Sequence, residues 1–595
     1  MSDHGYTREA VSERLLRTAS EVWSAQGAPG GHADPLVRLL FGAMSLELER
    51  IGQAIHDSDA RVFERVAQYL LPEVMIRAEP AHAVAKFSPT SSMMATRYEE
   101  LTFEQTIRRK ENMNRPETRQ FGFSVAGDVM LSGSSLKQKA VGQSLMDLTG
   151  STWRIRAPLT VSLQPHVLYL GFQGAFKESE VVRLFFDWPG HQARARCLAA
   201  LPQMTAHDAE GRPLYVGVGL PAWKPNDERG DLEMTMSLEG RVRAYYHDHF
   251  VRIRVGQLPQ GVPEELKSLL SEAESEQADR LCWLRLDFPT AIGAELIQAA
   301  VILDNCAPVI NRKLEKAIYR LGAELNIKRL DSEGAFLGIE KVESNNGHAY
   351  AEVPSAEQVT AVPGTYTVKQ GATARFDERD ASQLLRHAVD QAREEARAFT
   401  SMDVASTVAD LRTVEQALSR IERRLREMLA GRVPTYLAMR PFDKSDTAHV
   451  HYWTTNSEAA LGLPAGTVLR ARQQGMAADG NVPLVSSTLG AREARTGKEL
   501  VQQYRAAVLS RGRIVTRRDI MEHARQVCGA RLKDVNVEDG VMLSPEPTKG
   551  LVRCLNVVLK FIPGQVTEQE VAYFKERLQA ELDTSSSIAV PIRIT

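Results

Sequence analysis

From about residue 81 to residue 260 the chain alternates apolar and polar residues in short runs, and this pattern limits the possible folds more than any other feature. The runs "AHAVAKF", "RQFGFSVAG", "STWRIRAPLTVSL", "HVLYLGF", "VVRLFFDW" and "RVRAYYHDHFVRIRV" follow one another, separated by Gly-, Pro- and Asn-rich joints. Side chains two apart share one face of a strand, so each run offers one face to a core and the other to its surroundings. Short strands divided by turn residues predict a sandwich or two packed sheets over residues 81–261.

The flanking regions follow other periods. Val11, Leu15, Leu16, Ala19, Val22 and Trp23 fall at helical spacing over 7–26, and "GAPGGHADP" then breaks the chain. Asp34 before Pro35 is a helix start, an N-cap followed by proline at the first helical position. The stripe Leu36, Leu40, Met44, Leu48, Ile51 and Ile55 continues it, and a third helix runs from Ser58 to the stop at Pro72. Residues 1–80 therefore read as a helical N-terminal region. Residues 262–375 read as a mixed α/β region that opens with a helix, "PEELKSLLSEAESEQADRL", and a strand, "LCWLRLDF".

A long helical segment is expected at 376–435. Within it Leu411, Val414, Leu418, Ile421, Leu425 and Met428 recur at alternating steps of three and four, a heptad seam flanked by charge. A helix over 403–430 spans about 40 Å at the α-helical rise. The pattern alone leaves open whether the seam packs in an internal hairpin or against another chain. A β-rich segment, 436–500, follows. Residues 501–595 read as a small C-terminal α-β-β-α-β domain with an antiparallel sheet. Capping boxes at Thr516/Asp519 and Thr567/Glu570 start its helices at 517–527 and 568–582. Strands are expected at 531–538, 551–562 and in "SIAVPIRI", with Val571, Phe574, Leu578 and Leu582 on the inward face of the second helix. The predicted class is α+β and multidomain, with about three to five domains in 595 residues.

Charge and cysteine usage exclude several functions. With 73 basic and 75 acidic residues no overall basic field marks a nucleic-acid binder. Five cysteines, at 197, 282, 306, 528 and 554, form no CxxC pair, which argues against a disulfide framework or a cysteine zinc site and fits a reducing cytoplasm. The polar N-terminus lacks a signal-peptide core, and no run of about 18 apolar residues spans a bilayer.

The motifs with chemical potential are few. His247 and His249 in "YYHDHF", with His449 and His451 in "HVHYW", are the rival reading, a His-dependent metalloenzyme. On a strand His247 and His249 share a face and Asp248 points away, so neither motif alone supplies the three ligands of a catalytic metal. Hydrogen-bonded structural histidines are expected. In "GSSLKQKAVGQS" Ser134 and Lys137 form an S-x-x-K fragment, but its partner motifs are absent and a loop is expected at 133–144. No phosphate loop or G-x-S-x-G elbow occurs. Glu394 and Glu395 lie on a charged helix face, and the glutamates within "RIERRLREML" favour protein packing over phosphate contact. Trp153, Tyr169, Phe172 and Trp188 leave a carbohydrate-binding module open, although large aromatics usually bury.

Five segments together resemble a known family. They are "DPLVRLLFGAMSLELERIGQAIHDSDARVFERVAQYLLPE" (34–73), "LDNCAPVINRKLEKAIYRL" (303–321), "GTYTVKQGATARFDERDASQLL" (364–385), "YWTTN" (452–456) and "AVLSRGRIVTRRDI" (507–520), with "PAHAVAKF" (80–87) after the first. In this order they resemble the TssF family, the baseplate wedge subunit of type VI secretion systems. The likeness runs from about residue 34 to the C-terminus and is weak between 110 and 260.

The resemblance implies a structural protein with no cofactor. It would form a 2:1 wedge, two copies with one TssG-like subunit, through a helical core bundle. TssE-like and TssK-like subunits would attach, and the wedges would surround a spike hub at the cytoplasmic face of the inner membrane, without inserting into it, to nucleate a contractile sheath and tube. The six seam residues from Leu411 to Met428 are the candidate bundle contact, and the "GAPGGHADP" break is a candidate adaptable joint. A wedge protein of a phage tail or of an extracellular contractile injection particle is the nearest alternative.

Overall fold

The computed structural model describes residues 78–107, 117–220, 238–370, 435–494 and 514–595, except for a few short stretches within them, and scattered positions between 11 and 48. Those scattered positions, Val11 and Leu15 among them, are helical. The rest of the N-terminal region and the whole seam from Leu411 to Met428 lie outside the described residues. The chain divides into two compact units: Met1–Ile76 with Arg495–Gln526 and Ser585–Pro591, and Arg77–Ala494 with Val527–Thr584 and Ile592–Thr595.

In the first unit the described part is mainly the helix that begins at Arg517. It starts with the expected capping box: Asp519 N–H donates to Thr516 Oγ1 (3.1 Å), and the Asp519 carboxylate accepts from Thr516 N–H (2.8 Å).

The second unit is strand-rich. Its largest sheet has ten strands in the order Val301–Asp304, Val181–Asp187, Phe250–Arg254, Pro213–Val218, Thr205–His207, Cys282–Asp287, Val167–Gln173, Ser135–Val141, Ser144–Thr149, Thr152–Pro158. Every neighbouring pair is antiparallel. The strand Val167–Gln173 explains the continuous apolar run "HVLYLGF". Leu168, Leu170 and Phe172 enter one core with Leu184, Phe186 and Trp188, while Val167 and Tyr169 enter a second beneath Leu266 and Leu270, so both faces are covered.

This sheet curls until Ser135–Val141 faces Val301–Asp304, and there side chains replace the backbone ladder. Leu136 N–H donates to the Asp304 carboxylate (2.8 Å). Lys139 Nζ donates to the carbonyls of Gln298 (3.0 Å) and Ala300 (3.2 Å). Trp153 Nε1–H donates to Ile302 O (3.0 Å). A buried polar group left without a partner at such a closure costs roughly 1–3 kcal/mol.

A six-stranded antiparallel sheet collects strands from distant parts of the sequence: His82–Lys86, Cys306–Ile310, Glu117–Val125, Leu101–Ile107, Val468–Ala471 and Asn481–Pro483. Its core holds Phe87, Phe121 and Phe123. A three-stranded sheet, Lys313–Leu321, Asp446–Thr455 and Ala335–Ser344, shares a core with a four-stranded one, Asn326–Leu330, Thr435–Arg440, Thr365–Gln370 and Ala351–Glu352. At the C-terminus Leu532–Leu543, Leu551–Phe561 and Ile592–Ile594 form a sheet beside the helix Glu568–Ser585. That helix has the second predicted box, with Glu570 N–H on Thr567 Oγ1 (3.3 Å) and Thr567 N–H on the Glu570 carboxylate (2.9 Å). Phe574, Leu578 and Leu582 are buried as expected, and Val571 is half-buried.

Four local expectations are corrected. The predicted antiparallel C-terminal sheet is mixed, because Ile592–Ile594 runs parallel to Leu551–Phe561: the intervening helix carries the chain back before the last strand begins. His247–His249 is a single 3-10 turn that continues the helix Leu238–Tyr246, and the strand starts only at Phe250. Residues 133–144 are not a loop, since Ser135–Val141 lies inside the ten-stranded sheet. The single helix expected over 263–281 is two short ones, Glu264–Lys267 and Glu272–Ala278.

Candidate functional site

The histidines do not converge on a metal. The His249 side chain is 3% exposed and stacks on Phe185 at 5.6 Å. Its Nδ1–H donates to Phe186 O (2.9 Å) and its Nε2 accepts from the Arg194 guanidinium (3.1 Å), which leaves neither nitrogen for a ligand. Burial and Arg194 hold the imidazole below its ordinary pKa, against the opposing pull of Asp187. His247 lies against Gly219, whose backbone has φ +91° and where a Cβ would overlap the imidazole. His449 and His451 stand on the Asp446–Thr455 strand. Among the described residues no group of three or more His, Cys, Asp or Glu is placed to hold a metal ion. Ser134 bonds Ser132 through their hydroxyls (2.6 Å) while Lys137 is exposed, so the S-x-x-K fragment makes no pair. Tyr169, Phe172 and Trp188 are core, and Trp153 is half-buried at the sheet closure.

Where side chains do converge is a buried polar junction between the six-stranded and three-stranded sheets. The fully buried Asn311 is its centre. Asn311 Nδ2 donates to Gly122 O (2.8 Å) and to Asn456 Oδ1 (3.2 Å). Its Oδ1 accepts from Thr455 Oγ1 (2.9 Å) and Asn456 N–H (3.0 Å), and its own N–H donates to Ala81 O (2.7 Å). Glycine at 122 suits this close approach, since a Cβ would lie 3.0 Å from Lys313 Cβ and 3.3 Å from Arg312 O.

Arg312, with its side chain 2% exposed, occupies the next position. Its Nε donates to Ser124 Oγ (2.6 Å), one terminal nitrogen to Glu239 (2.5 Å) and the other to Val125 O (3.2 Å). The guanidinium lies 4.2 Å above the Trp453 ring. Trp453 Nε1–H donates to Glu340 (2.7 Å), which also accepts from Arg97 (2.6 Å) and Tyr98 (2.8 Å). Burial raises the Glu239 carboxyl, but Arg312 and Arg97 outweigh it and hold the group below the ordinary carboxylate range. Two guanidiniums thus face two carboxylates.

One strand away, Asn305 takes φ +49° and closes the turn between Asp304 and Cys306. Its Nδ2 donates to Ser132 O (2.9 Å) and its Oδ1 accepts from Ser132 N–H (2.8 Å).

A second buried cluster fastens the C-terminal helix. The Glu79 carboxylate accepts from Arg577 (2.7 and 3.2 Å) and Arg492 (3.1 Å), with Arg241 at 3.9 Å. Burial raises the Glu79 pKa, but the arginines overcome it and hold the group far below its usual value. His82 sits among Tyr245, Tyr246 and Tyr573 at ring distances of 5.2–5.6 Å and contacts the Tyr246 hydroxyl at 3.1 Å. Burial, Arg577 and Arg241 pull its pKa down to about 3, and Glu79 offsets them only in part.

Both clusters join carboxylates to guanidiniums and backbone, and neither presents an activated nucleophile beside a base. Their chemistry is adhesion: each fixes one element against another with charge-assisted hydrogen bonds. Glu79, Glu239, Arg492 and Arg577 carry no signal in the sequence, because an isolated buried charge has no period. The asparagine and arginine closing the apolar run "NCAPVINR" were the visible hint.

No family model and no curated protein sequence matches the chain. Among solved structures, a chain of the type VI secretion system TssK-TssF-TssG baseplate subcomplex is similar at 12% identity and TM-score 0.42, over 94% of this chain and 96% of that one. A chain of the anti-feeding prophage baseplate is similar at 10% identity and TM-score 0.27, over 98% of this chain and 70% of that one. At those scores the likenesses decide nothing about what this chain does.

Proposed function

We propose that this chain is a structural, non-enzymatic subunit of a type VI secretion baseplate wedge, of the TssF kind. One observation carries the reading. Three of the segments on which the sequence resemblance rests, 80–87, 303–321 and 452–456, lie far apart in the chain and meet in the Asn311–Arg312 junction, where their polar groups hold sheets together. Residues engaged in this way serve a rigid scaffold.

In this reading Leu411, Val414, Leu418, Ile421, Leu425 and Met428 form the helical contact to a TssG-like subunit and to a second copy of the chain, in a 2:1 wedge. TssE-like and TssK-like subunits attach to that wedge around the spike hub, on the cytoplasmic side of the inner membrane. Such permanent interfaces commonly bury about 2,000 Å² or more.

Co-expression with the candidate subunits, followed by mass measurement of the purified complex, tests this. A complex of two copies with one TssG-like chain is expected. The paired change Leu418→Asp with Ile421→Asp is expected to abolish it, since a lone carboxylate in a dry seam is very costly. Recovery of an intact complex from the paired variant would remove the seam from the interface. Assembly only with subunits of a phage tail or extracellular particle would reassign the machine.

A further inference from the structure

The strands Val181–Asp187, Phe250–Arg254 and Pro213–Val218 lie side by side within the ten-stranded sheet. One of their faces enters the core of Leu184 and Phe186, and the register sets three rows on the other. Phe185 stands opposite Phe250, and the helix Leu238–Tyr246 packs over that row through Val242 and Tyr246. In the next row Arg183 stands opposite Arg252, and Arg252 opposite Gly217. The third row, Val181, Arg254 and Tyr215, is exposed, with the Arg254 guanidinium 5.5 Å from the centre of the Tyr215 ring. Arg243 joins from the helix, where it donates to Ala126 O (3.0 Å).

The middle row is short of acceptors. Arg183 makes no hydrogen bond to another described residue, and its Nε is buried. Arg252 Nε is buried without a partner as well, and one terminal nitrogen makes a single long bond to Val218 O (3.5 Å). No ion pair joins Arg183, Arg252 or Arg254 to a carboxylate of another described residue. Glu239 and Asp128 act on Arg243, but Glu239 is already bonded to Arg312. Glu180, just before the first strand, accepts from Ser92 and Ser132. Burial, then Arg243 and Arg252, pull the Arg183 pKa down to about 10, and Cys306 opposes them only in part.

Like charges directly opposite each other destabilise a sheet, and a buried cation without a partner is costly. Edge protection does not explain the row, because all three strands are interior. Solvation explains an exposed arginine such as Arg254, but not buried Nε–H groups beside neighbours of the same sign. A compact anion with several acceptor oxygens and more than one charge meets the deficit. A carboxylate fills one guanidinium fork, whereas a tetrahedral dianion bridges two or three. Arg183 and Arg252 are only half-buried, so a small ligand reaches their terminal nitrogens. Gly217 keeps the approach clear, since a Cβ there would lie 3.5 Å from an Arg252 terminal nitrogen.

We infer that Arg183 and Arg252, with Arg243 beside them, bind a phosphate dianion, free or as a monoester whose organic group lies toward the exposed Tyr215. The inference does not depend on the wedge reading.

The test titrates the full chain with sodium phosphate in a calorimeter, against sodium chloride at equal ionic strength. Saturable binding of phosphate and none of chloride is expected, with a melting temperature that rises with phosphate. Arg183→Gln and Arg252→Gln should each weaken binding at least about tenfold. Each also relieves repulsion, so neither should melt earlier than wild type in phosphate-free buffer. If one does, the other decides; if both do, Gly217→Val decides, because it crowds the approach and leaves the charges in place. Adenosine monophosphate separates the sources: tighter binding than phosphate, lost in Tyr215→Ala, assigns a monoester, and equal binding assigns free phosphate. Adenosine binding as tightly as its monophosphate overturns the inference, and so does phosphate binding that the deciding variant retains. Absence of saturable phosphate binding also overturns it, as expected if Asp227, Glu228, Asp231 and Glu233, outside the described residues, already neutralise the arginines.

Discussion

Replacing Arg312 with methionine isolates the polar junction. The side chains of Arg312 and Glu239 are 2% and 12% exposed, so the ion pair between them is largely out of water. Methionine keeps much of the volume and the contact with Trp453 but removes the charge. Glu239 then keeps only longer-range attraction, from Arg97 at 3.7 Å and from Arg243 on its own helix. Ser124 Oγ loses its donor as well, and Val125 O keeps only the Gly127 N–H (2.9 Å). Breaking one side of a buried pair costs about 3–5 kcal/mol. The lost cation–π contact is worth roughly 1–2 kcal/mol and overlaps with that figure rather than adding to it. Against a domain stability of about 5–15 kcal/mol the loss is large.

The assay is urea unfolding followed by tryptophan emission, with Trp453 directly beneath the guanidinium. A double-mutant cycle supplies the internal check. Arg312→Met with Glu239→Gln removes both charges, so it should cost less than the two single changes together, by about 2 kcal/mol. The wild-type pair should also weaken in acid. A carboxylate held below its unfolded pKa contributes stability above the ordinary carboxylate range and loses it as pH falls through the folded value. A single variant within about 1 kcal/mol of wild type, or a double variant as costly as the sum of the singles, would refute the argument that burial governs this pair.

Two further outcomes follow from buried titrating groups. Lys139, pushed down to about 7 by burial, binds fewer protons folded than unfolded between that value and the ordinary lysine pKa. Stability should therefore rise with pH from about 7 upward, at up to about 1.4 kcal/mol per unit, and Lys139→Met should flatten that slope in urea midpoints taken across the alkaline range. His82, down at about 3, makes the second unit lose stability as pH falls from the ordinary histidine pKa toward 3, and His82→Gln should remove most of that loss.

The strand pattern over 81–260 was legible because alternation is a local property, and both capping boxes were legible because their four-residue spacing is one too. What stayed hidden depends on partners far away in the sequence. Helix Leu238–Tyr246 resembles a strand in sequence because Glu239 and Arg243 are buried beside Val242 and Tyr246. Two charged residues on the inward stripe disguise a helical period. Ser135–Val141 lacks the pattern of a strand because Lys139 is fully buried and a bulge between Leu136 and Gln138 shifts the alternation. The last strand's direction depends on where the preceding helix delivers it, which residue types do not specify. The junction itself is half visible in the sequence: its segments are distinctive, but that they touch is a fact of three dimensions.

The position of the polar groups bears on how the two sheets are held. Apolar burial holds two sheets together without choosing their angle, because it scales with area and has little direction. Asn311 is different. Its amide reaches Gly122 across 189 positions of sequence and Asn456 across 145, and every bond has a preferred geometry. A small rotation of one sheet on the other would break several of these bonds at once and leave buried groups unpaired, so the free energy rises steeply in every direction. Arg312 adds the same constraint through charge, since its fork must meet Ser124, Glu239 and Val125 together. A buried ion pair is a poor way to add stability and a good way to fix an arrangement. In this chain the polar residues sit where two sheets would otherwise slide, so directional bonds rather than apolar area set the angle between them.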